Sequence, residues 1–251
     1  MTERCTCCIA GGGPAGMMLG LLLARAGVDV LVLEKHADFL RDFRGDTIHP
    51  STLEVMHELG MLDDLLKLPH QEASELIAQV GGVRVPIADL THLPTHCKFL
   101  ALMPQWDFLD FLAGRAAHFP SFHLWMRAEA QGLIEESGRV VGVEVMTAEG
   151  RREVRADLIV GADGRHSVVR ERARLEVREL GAPMDVLWFR LSRRPDDQPN
   201  LMGTFGSGRI FVMINRDSYW QCGYVIAKGT IDEIRRRGIE AFRESYRRPA
   251  P

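Results

Sequence analysis

The strongest constraint on the fold is a short apolar segment that runs directly into a glycine-rich hexapeptide. Residues 5–10 have the pattern of a buried strand, and Gly11-Gly12-Gly13-Pro14-Ala15-Gly16 follows at once. Residues 15–26 then have the apolar pattern of a helix that ends at Gly27, a usual C-terminal cap. Residues 28–33 form a second, near-continuous apolar run. This order predicts a parallel βαβ unit whose strands are covered on both faces.

The hexapeptide satisfies G-x-G-x-x-G, and each of its three spaced glycines has a physical task. Gly11 permits the tight turn, Gly13 lets a pyrophosphate approach the backbone, and Gly16 lets the helix pack closely on the strand. The helix N-terminus offers free N–H groups and the positive end of a dipole to that pyrophosphate. The chain therefore has the elements of a dinucleotide site, in which Pro14 and Ala15 are further binding candidates.

The residue that makes this short pattern specific is Glu34, which closes the second predicted strand. A carboxylate at this place accepts hydrogen bonds from a ribose diol and would repel the 2′-phosphate of NADP. The dinucleotide expected here is therefore FAD or NAD. Lys35 beside it is included as a binding candidate.

The composition is that of an ordinary soluble protein that acts on small molecules. Hydrophobic residues make up 46% and charged residues 26%, with a formal net charge of −3. This charge predicts no nucleic-acid partner, and no apolar run reaches the length of a membrane span. The N-terminus lacks the apolar region of a secretory signal, so the expected location is the cytoplasm.

Neither the cysteines nor the histidines have the spacing of a metal site. Cys5, Cys7 and Cys8 could form a thiolate site or serve as small buried side chains, and they lie inside the first predicted strand. No second Cys/His pair at zinc spacing follows, and the nine histidines are scattered. We therefore expect a structural role for these cysteines and no bound metal.

The remaining pattern alternates helices with two groups of strands. The predicted helices and strands are a helix from Pro50 to Gly60, a hairpin over 76–90, a helix over 106–117, a three-stranded meander (124–134, 139–146, 154–160), a short helix near Ser167, a second sheet (185–191, 209–215, 219–226) and a charged helix from Ile231. The prediction is a mixed α/β chain, with a Rossmann-like βαβ domain and an attached antiparallel sheet domain.

A second landmark carries a resemblance to a known family. Residues 157–170, DLIVGADGRHSVVR, resemble the Asp-Gly motif of the flavoprotein aromatic hydroxylases, the p-hydroxybenzoate hydroxylase-like FAD monooxygenases. In that family the motif lies near the flavin pyrophosphate and assists NAD(P)H use. The resemblance assigns Asp163 and Gly164 to FAD binding, and Arg165 to the NAD(P)H side.

Two further matches occur in the family's order and approximate spacing. They are Arg44, within Arg44-Gly45-Asp46, and Gln105, which opens a predicted helix. By resemblance both contact FAD, and Arg44 also serves the NAD(P)H side. An arginine can hold a phosphate through two hydrogen bonds, and a glutamine can bond ribityl hydroxyls or phosphate oxygens. Ala130 falls where relatives touch adenine through the backbone.

The resemblance also implies an activity and a division into domains. In relatives, NADPH or NADH reduces the flavin, oxygen adds to give a hydroperoxyflavin, and one oxygen atom passes to an aromatic ring. The expected partners are O2 and an aromatic, phenolic or polyketide-like small molecule, with a homodimer as an option. The FAD-binding domain would comprise residues 1–75 and 98–178, and the substrate domain residues 76–97 and 179–251.

One face of the second sheet supplies the candidates for substrate contact. They are Phe211, Met213, Trp220, Cys222 and Tyr224. Apolar residues that alternate along strands more often belong to a core than to a pocket, so both interpretations stay open. No catalytic acid, base or nucleophile is expected, because the flavin carries out the difficult step.

The sequence departs from the family at one point. Relatives carry a later Gly-Asp motif whose Asp binds the flavin ribityl chain, and no such motif follows Gly164 in these residues. Two alternatives to an NAD(P)H-dependent monooxygenase therefore stay open. One is a truncated, catalytically inert fragment that binds FAD or its ADP half. The other is an NAD-dependent dehydrogenase, which leaves Arg44, Gln105 and Asp163 without a role.

Overall fold

The computed structural model describes residues 2–40, 47–178, 180–194, 196–197, 201–206, 209–216 and 218–247. Contacts between Cα atoms divide the chain into two compact units. Unit 1 is Met1–Asp42 with Gln105–Arg178, and unit 2 is Phe43–Pro104 with Glu179–Pro251. Each unit contains a six-stranded sheet, and the predicted mixed α/β fold is confirmed.

The helices and strands of the described residues follow in chain order. They are β1 (Thr2–Ala10), α1 (Pro14–Arg25), β2 (Val30–Glu34), β3 (Thr47–Ile48), α2 (Pro50–Glu58), α3 (Leu62–Leu65), β4 (Gln71–Ala73), β5 (Glu75–Val80), β6 (Val83–Asp89), β7 (Leu100–Leu102), α4 (Gln105–Ala116), β8 (Phe122–Met126), β9 (Glu129–Glu136), β10 (Arg139–Thr147), β11 (Gly150–Gly161), α5 (Val168–Arg172), β12 (Met184–Ser192), β13 (Leu201–Gly206), β14 (Arg209–Asn215), β15 (Tyr219–Ala227) and α6 (Ile231–Arg247).

Unit 1 is built around the predicted βαβ unit. Its sheet has the order β8-β2-β1-β11-β10-β9, and β1 pairs in parallel with both β2 and β11. All five residues of β2 are buried, as expected for a parallel strand that is covered on both faces. Helix α1 crosses from β1 to β2 and packs against α4. The predicted strand, turn, helix and strand are confirmed.

The predicted strand over residues 124–134 is wrong, because two strands occupy this range. β8 pairs in parallel with β2, whereas β9 pairs antiparallel with β10 at the opposite end of the sheet. Between them Arg127 has a φ of 54°, which ends the extended backbone of β8 and redirects the chain. The predicted meander is therefore β9-β10-β11, and it joins the main sheet through β11.

The core of unit 1 lies between this sheet and its covering segments. Cys5, Cys8 and Ala10 of β1 belong to it, together with Leu33 and Ala130. Cys7 is also buried, with 2% of its surface exposed. The cysteines of the first strand thus occupy positions where small apolar side chains pack.

Unit 2 contains a six-stranded sheet of the order β12-β15-β14-β13-β5-β6 and a small sheet of the order β3-β7-β4. The predicted hairpin is confirmed as β5 and β6. The predicted antiparallel sheet contains one parallel pairing, between β13 and β5. β13 was not predicted. Residues 43–75 and 98–104 group with this unit, whereas all of them fall in the FAD-binding domain expected from the sequence.

The predicted charged helix is confirmed as α6, but it is interrupted. Gly238 has φ 81° and ψ 168°, so two helical segments meet at a kink. A single glycine in a polar helical pattern predicts only a weaker helix, which is why the kink was missed.

Candidate functional site

The glycine turn is held against the end of β11. Gly11 has a φ of 110°, and its N–H donates to the Leu33 carbonyl over 2.8 Å. A Cβ placed on Gly11 would lie 2.3 Å from the carbonyl oxygen of Ala162. The Ala162 N–H in turn donates to the Ala10 carbonyl over 2.7 Å. The first glycine is therefore required by the positive φ and by the close approach of the Asp-Gly segment.

The N-terminus of α1 is open to an anion. Gly13 is the N-cap residue, no side chain caps the helix, and its first turn contains no acidic residue. A Cβ on Gly13 would meet no atom within 4 Å, whereas one on Gly16 would lie 1.9 Å from the Gly11 carbonyl oxygen. Pro14 and Ala15 are exposed. Gly16 thus serves packing, and the space next to Gly13 is available to a phosphate group.

Glu34 is held in place by backbone donors on two sides. Its side chain is buried, with 8% of the residue exposed. Oε2 accepts a 3.1 Å hydrogen bond from the Gly12 N–H, and Oε1 accepts one of 3.0 Å from the His36 N–H. A carboxylate accepts several hydrogen bonds, which suits a ribose diol. Lys35 is exposed.

Sequence reasoning missed the role of Gly12. A Cβ there would lie 2.8 Å from the Glu34 Cβ and 3.0 Å from Oε2. The residue therefore belongs to the site, because it leaves room for the carboxylate that it also hydrogen-bonds. Only the packing of β2 against the turn reveals this, since the motif leaves the second position open.

The Asp-Gly segment forms a turn that leads into α5. Oδ2 of Asp163 accepts hydrogen bonds from the N–H groups of Val168, at 2.7 Å, and Val169, at 3.2 Å. Oδ1 is buried and has no hydrogen-bond partner among the described residues. Gly164 has a φ of 86°, which explains the glycine, and Arg165 is exposed. Asp163 thus stabilises the turn with one oxygen and keeps the other available.

The remaining FAD candidates lie in different surroundings. Gln105 is the first residue of α4 and is half-buried. Ala130 is the second residue of β9, and its side chain belongs to the core. The Ala128 N–H donates to the Glu34 carbonyl over 2.9 Å, which ties the start of this segment to the end of β2. Arg44 lies outside the described residues.

The substrate candidates of unit 2 lie together in one aromatic cluster. Phe211, Trp220 and Cys222 are buried, while Met213 and Tyr224 are packed against them with part of their surface exposed. The ring of Phe242, on α6, meets that of Tyr224 edge-on with centroids 5.5 Å apart. This cluster gives the five residues a structural role in the core of the sheet, and contact with a substrate stays a prediction.

Burial shifts the pKa of several acids and thiols. Burial raises the pKa of Asp107, and the nearby carboxylate of Asp110 raises it further. Burial also raises the pKa of Asp110, with a second contribution from the carboxylate of Asp38. Burial raises the pKa of the Cys222 thiol to about 12. In the described ranges, no group of three His, Cys, Asp or Glu residues is placed to hold a metal ion.

Comparison with known proteins identifies the family. The family described as FAD binding domain matches residues 4–250. The chain belongs to this FAD-binding domain family. The predicted resemblance to FAD-dependent aromatic hydroxylases is confirmed, and FAD rather than NAD is the dinucleotide of the family.

Relatives of this FAD-binding domain are monooxygenases and hydroxylases. It is 29% identical over 245 residues to a 6-methylpretetramide 4-monooxygenase of Streptomyces rimosus, which covers 97% of this chain and 58% of the relative. It is 30% identical over 201 residues to a 3-(3-hydroxy-phenyl)propionate/3-hydroxycinnamic acid hydroxylase of Escherichia coli (strain K12). This matched region covers 77% of this chain and 35% of the relative. The chain thus spans about a third to three fifths of the length of these relatives.

A solved structure shows the same fold. The crystal structure of a p-nitrophenol 4-monooxygenase from Pseudomonas putida DLL-E4 has a TM-score of 0.81 and 21% sequence identity, over 96% of this chain and 63% of the other. Across the described residues, no helix is both long and apolar enough to cross a membrane.

The residues of unit 1 fit the ADP half of FAD. The open space at Gly13 and the uncapped start of α1 suit a pyrophosphate. The carboxylate of Glu34 suits the ribose diol. The buried, unpartnered Oδ1 of Asp163 can accept a further hydrogen bond from a ligand hydroxyl. The glycine turn and Glu34 therefore suit the pyrophosphate and the ribose of the ADP half, and Asp163 offers one further acceptor.

Proposed function

We propose that this FAD-binding domain holds the ADP half of FAD on unit 1 and belongs to an NAD(P)H-dependent monooxygenase of aromatic small molecules. The observation that carries the proposal is the Glu34 carboxylate, fixed by the N–H groups of Gly12 and His36 beside the uncapped N-terminus of α1. A buried carboxylate that is hydrogen-bonded to the residue before the helix N-cap suits a ribose joined to a pyrophosphate.

The proposal gives each candidate residue a role. Backbone N–H groups at the start of α1 hold the pyrophosphate, Glu34 holds the adenosine ribose, and Asp163 accepts a further hydroxyl through Oδ1. The proposed FAD contacts are Gly11, Gly13, Pro14, Ala15, Gly16, Glu34, Lys35, Arg44, Gln105, Ala130, Asp163 and Gly164. Arg165 and Arg44 are proposed for the NAD(P)H side. A homodimer and a cytoplasmic location stay predictions.

When bound, FAD supplies the redox chemistry and the activation of oxygen. The part of this chain is to bind and orient the cofactor, with the carboxylate of Glu34 fixing the adenosine end. The rigid packing of Gly11 against Ala162 keeps the turn and the Asp-Gly segment in one arrangement. Pre-organised binding of this kind lowers the entropic cost of placing the cofactor.

The substrate class rests on the relatives. Two of these proteins are named for phenolic compounds, a hydroxyphenylpropionate and p-nitrophenol. We therefore propose an aromatic small molecule and O2 as co-substrates, with NADH or NADPH as the reductant. The aromatic cluster of unit 2, with Phe211, Met213, Trp220 and Tyr224, remains the proposed substrate side.

The proposal is tested by loading the chain with FAD and following NADH and NADPH oxidation together with oxygen consumption. A panel of phenols and hydroxylated polycyclic aromatics is added in turn. We expect at least one compound to accelerate oxidation and to yield a hydroxylated product. An FAD-loaded chain that oxidises neither reductant, with or without any of these compounds, would show that this chain is catalytically inert.

A further inference from the structure

Arg127 has a backbone conformation that is unusual for an arginine. Of the described residues other than glycine, Arg127, Ser137 and Arg174 have a positive φ, at 54°, 52° and 55°. Ser137 lies with Gly138 in the tight turn between β9 and β10, and Arg174 follows the last turn of α5. Both are places where left-handed residues commonly occur. Arg127 belongs to neither class.

The position of Arg127 requires a left-handed residue but does not require an arginine. Its N–H donates to the His36 carbonyl over 2.8 Å, and the next N–H, of Ala128, donates to the Glu34 carbonyl over 2.9 Å. These two bonds continue the pairing of β8 with β2 before the chain turns away. Glycine would adopt the same φ without the steric cost that a side chain imposes. A strained residue at a candidate site motivates the hypothesis that its side chain has a role.

The guanidinium of Arg127 is available for a ligand. The residue is exposed, and its side chain has no hydrogen bond, ion pair or ring contact in the part of the chain that the structure describes. Arg127 directly precedes Ala128, whose N–H donates to the Glu34 carbonyl. The carboxylate of Glu34 would hold the adenosine ribose. The adenine ring is the group attached to that ribose. Arg127 therefore lies beside the strand end at which the adenosine would be held.

We propose that Arg127 binds the adenine of FAD, with its planar guanidinium stacked on the face of the ring. A guanidinium is flat, weakly hydrated and stacks well on aromatic faces. The inference rests on the proposed function, because it names one more residue of the same cofactor site. It explains why an arginine occupies a left-handed position beside Glu34.

The test is Arg127→Gly, compared with Arg174→Gly as the matched control. Both substitutions remove an exposed arginine from a left-handed position of unit 1. Both should raise the melting temperature of the chain or leave it unchanged, because glycine relieves the strain. Only Arg127→Gly should weaken the binding of FAD and of ADP, by roughly fivefold as judged from cation–π contacts.

The chemistry of the contact is tested by Arg127→Lys. Lysine keeps the charge but lacks the flat guanidinium, so ADP affinity should fall close to that of Arg127→Gly. Wild-type ADP affinity in either Arg127 variant would overturn the inference. In that case, a loss of ADP affinity in Glu34→Ala would still support the proposed function. A wild-type chain that binds neither FAD nor ADP would overturn the proposed function itself.

Discussion

The N–H of Gly12 donates a 3.1 Å hydrogen bond to Oε2 of Glu34, and a Cβ on Gly12 would lie 2.8 Å from the Glu34 Cβ. The glycine turn and the acidic end of β2 are thus one structural feature. The turn supplies the donor that orients the carboxylate, and the absence of a side chain leaves the space that the carboxylate occupies. If the turn binds the pyrophosphate and Glu34 the ribose, as proposed, this contact would couple the binding of the two groups.

Glu34→Gln should weaken FAD binding by roughly 10- to 100-fold, the range of hydrogen bonds to charged groups. Both carboxylate oxygens accept from backbone N–H groups, those of Gly12 and His36. An amide offers one oxygen, so one of these donors would face an NH2 group. Isothermal titration measures the affinity. Glu176→Gln, at an exposed position of the same unit, makes the same change in charge and should bind FAD normally.

Gly11→Ala should lower the folding stability, whereas Gly13→Ala should lower the FAD affinity. At Gly11 a Cβ would lie 2.3 Å from the Ala162 oxygen and φ is 110°, so the substitution should cost at least about 2 kcal/mol of folding stability. At Gly13 a Cβ meets no atom within 4 Å and φ is −72°. Gly13→Ala should therefore fold normally and lose FAD affinity, because the methyl group occupies the pyrophosphate space.

The two variants are compared by thermal unfolding and by FAD titration. A normally stable Gly11→Ala chain would contradict the packing described for the turn. Undiminished FAD binding by Gly13→Ala would contradict the placement of the pyrophosphate.

Asp163→Ala should lose both folding stability and FAD affinity. It removes the acceptor for the N–H groups of Val168 and Val169, a loss comparable to that of a helix N-cap at about 1 kcal/mol. It also removes Oδ1, the oxygen available to the ligand. Ser167→Ala is the matched control, because its Oγ accepts a 3.0 Å hydrogen bond from the nearby Arg170 N–H and so also caps α5.

Melting curves with and without FAD separate these effects. Both variants should melt at a lower temperature than the wild type, but added FAD should stabilise Ser167→Ala as much as the wild type. An equal stabilisation of Asp163→Ala by FAD would assign Asp163 a purely structural role.

Asp107→Asn should stabilise the chain at neutral pH. Burial, and secondly the carboxylate of Asp110, raise the pKa of Asp107 in the folded chain, so the folded state binds this proton more tightly than the unfolded state. The stability linked to this group is present at acidic pH and is lost as pH rises through the raised pKa. Asparagine stays neutral, so it should gain less than about 1 kcal/mol at neutral pH.

Denaturant unfolding at two pH values checks this prediction. The gain should disappear below the ordinary aspartate pKa of about 3.9, where the wild-type side chain is already protonated. A lower stability of Asp107→Asn at neutral pH would show that the carboxylate is favoured at the start of α4, contrary to the direction given above.

The sequence predicted those parts of the fold that depend on local patterns. The βαβ unit, the α2 and α4 helices and the β5–β6 hairpin follow from apolar periodicity and from glycines at turns. The break at Arg127 could not be read in this way, because an arginine gives no signal of a left-handed backbone. β13 contains Gly203 and Gly206 and is held by non-local pairing with β14 and β5, which a local pattern does not reveal.

The candidate site was predicted where a motif fixes the chemistry of a residue. Gly13 and Glu34 are motif positions, and the structure shows open space at the first and a buried carboxylate at the second. Gly12 and Arg127 were missed, because their importance comes from contacts across strands that lie far apart in the sequence. The contact roles of these residues with FAD stay predictions.

Binding of the ADP half of FAD is tested most directly by a calorimetric titration of the chain with FAD, repeated in the presence of saturating ADP. We expect one FAD bound per chain at micromolar concentration, competition by ADP, and no competition by FMN. Absence of FAD binding at these concentrations, or FAD binding that ADP does not reduce, would contradict the assignment of the glycine turn and Glu34 to the ADP half of the cofactor.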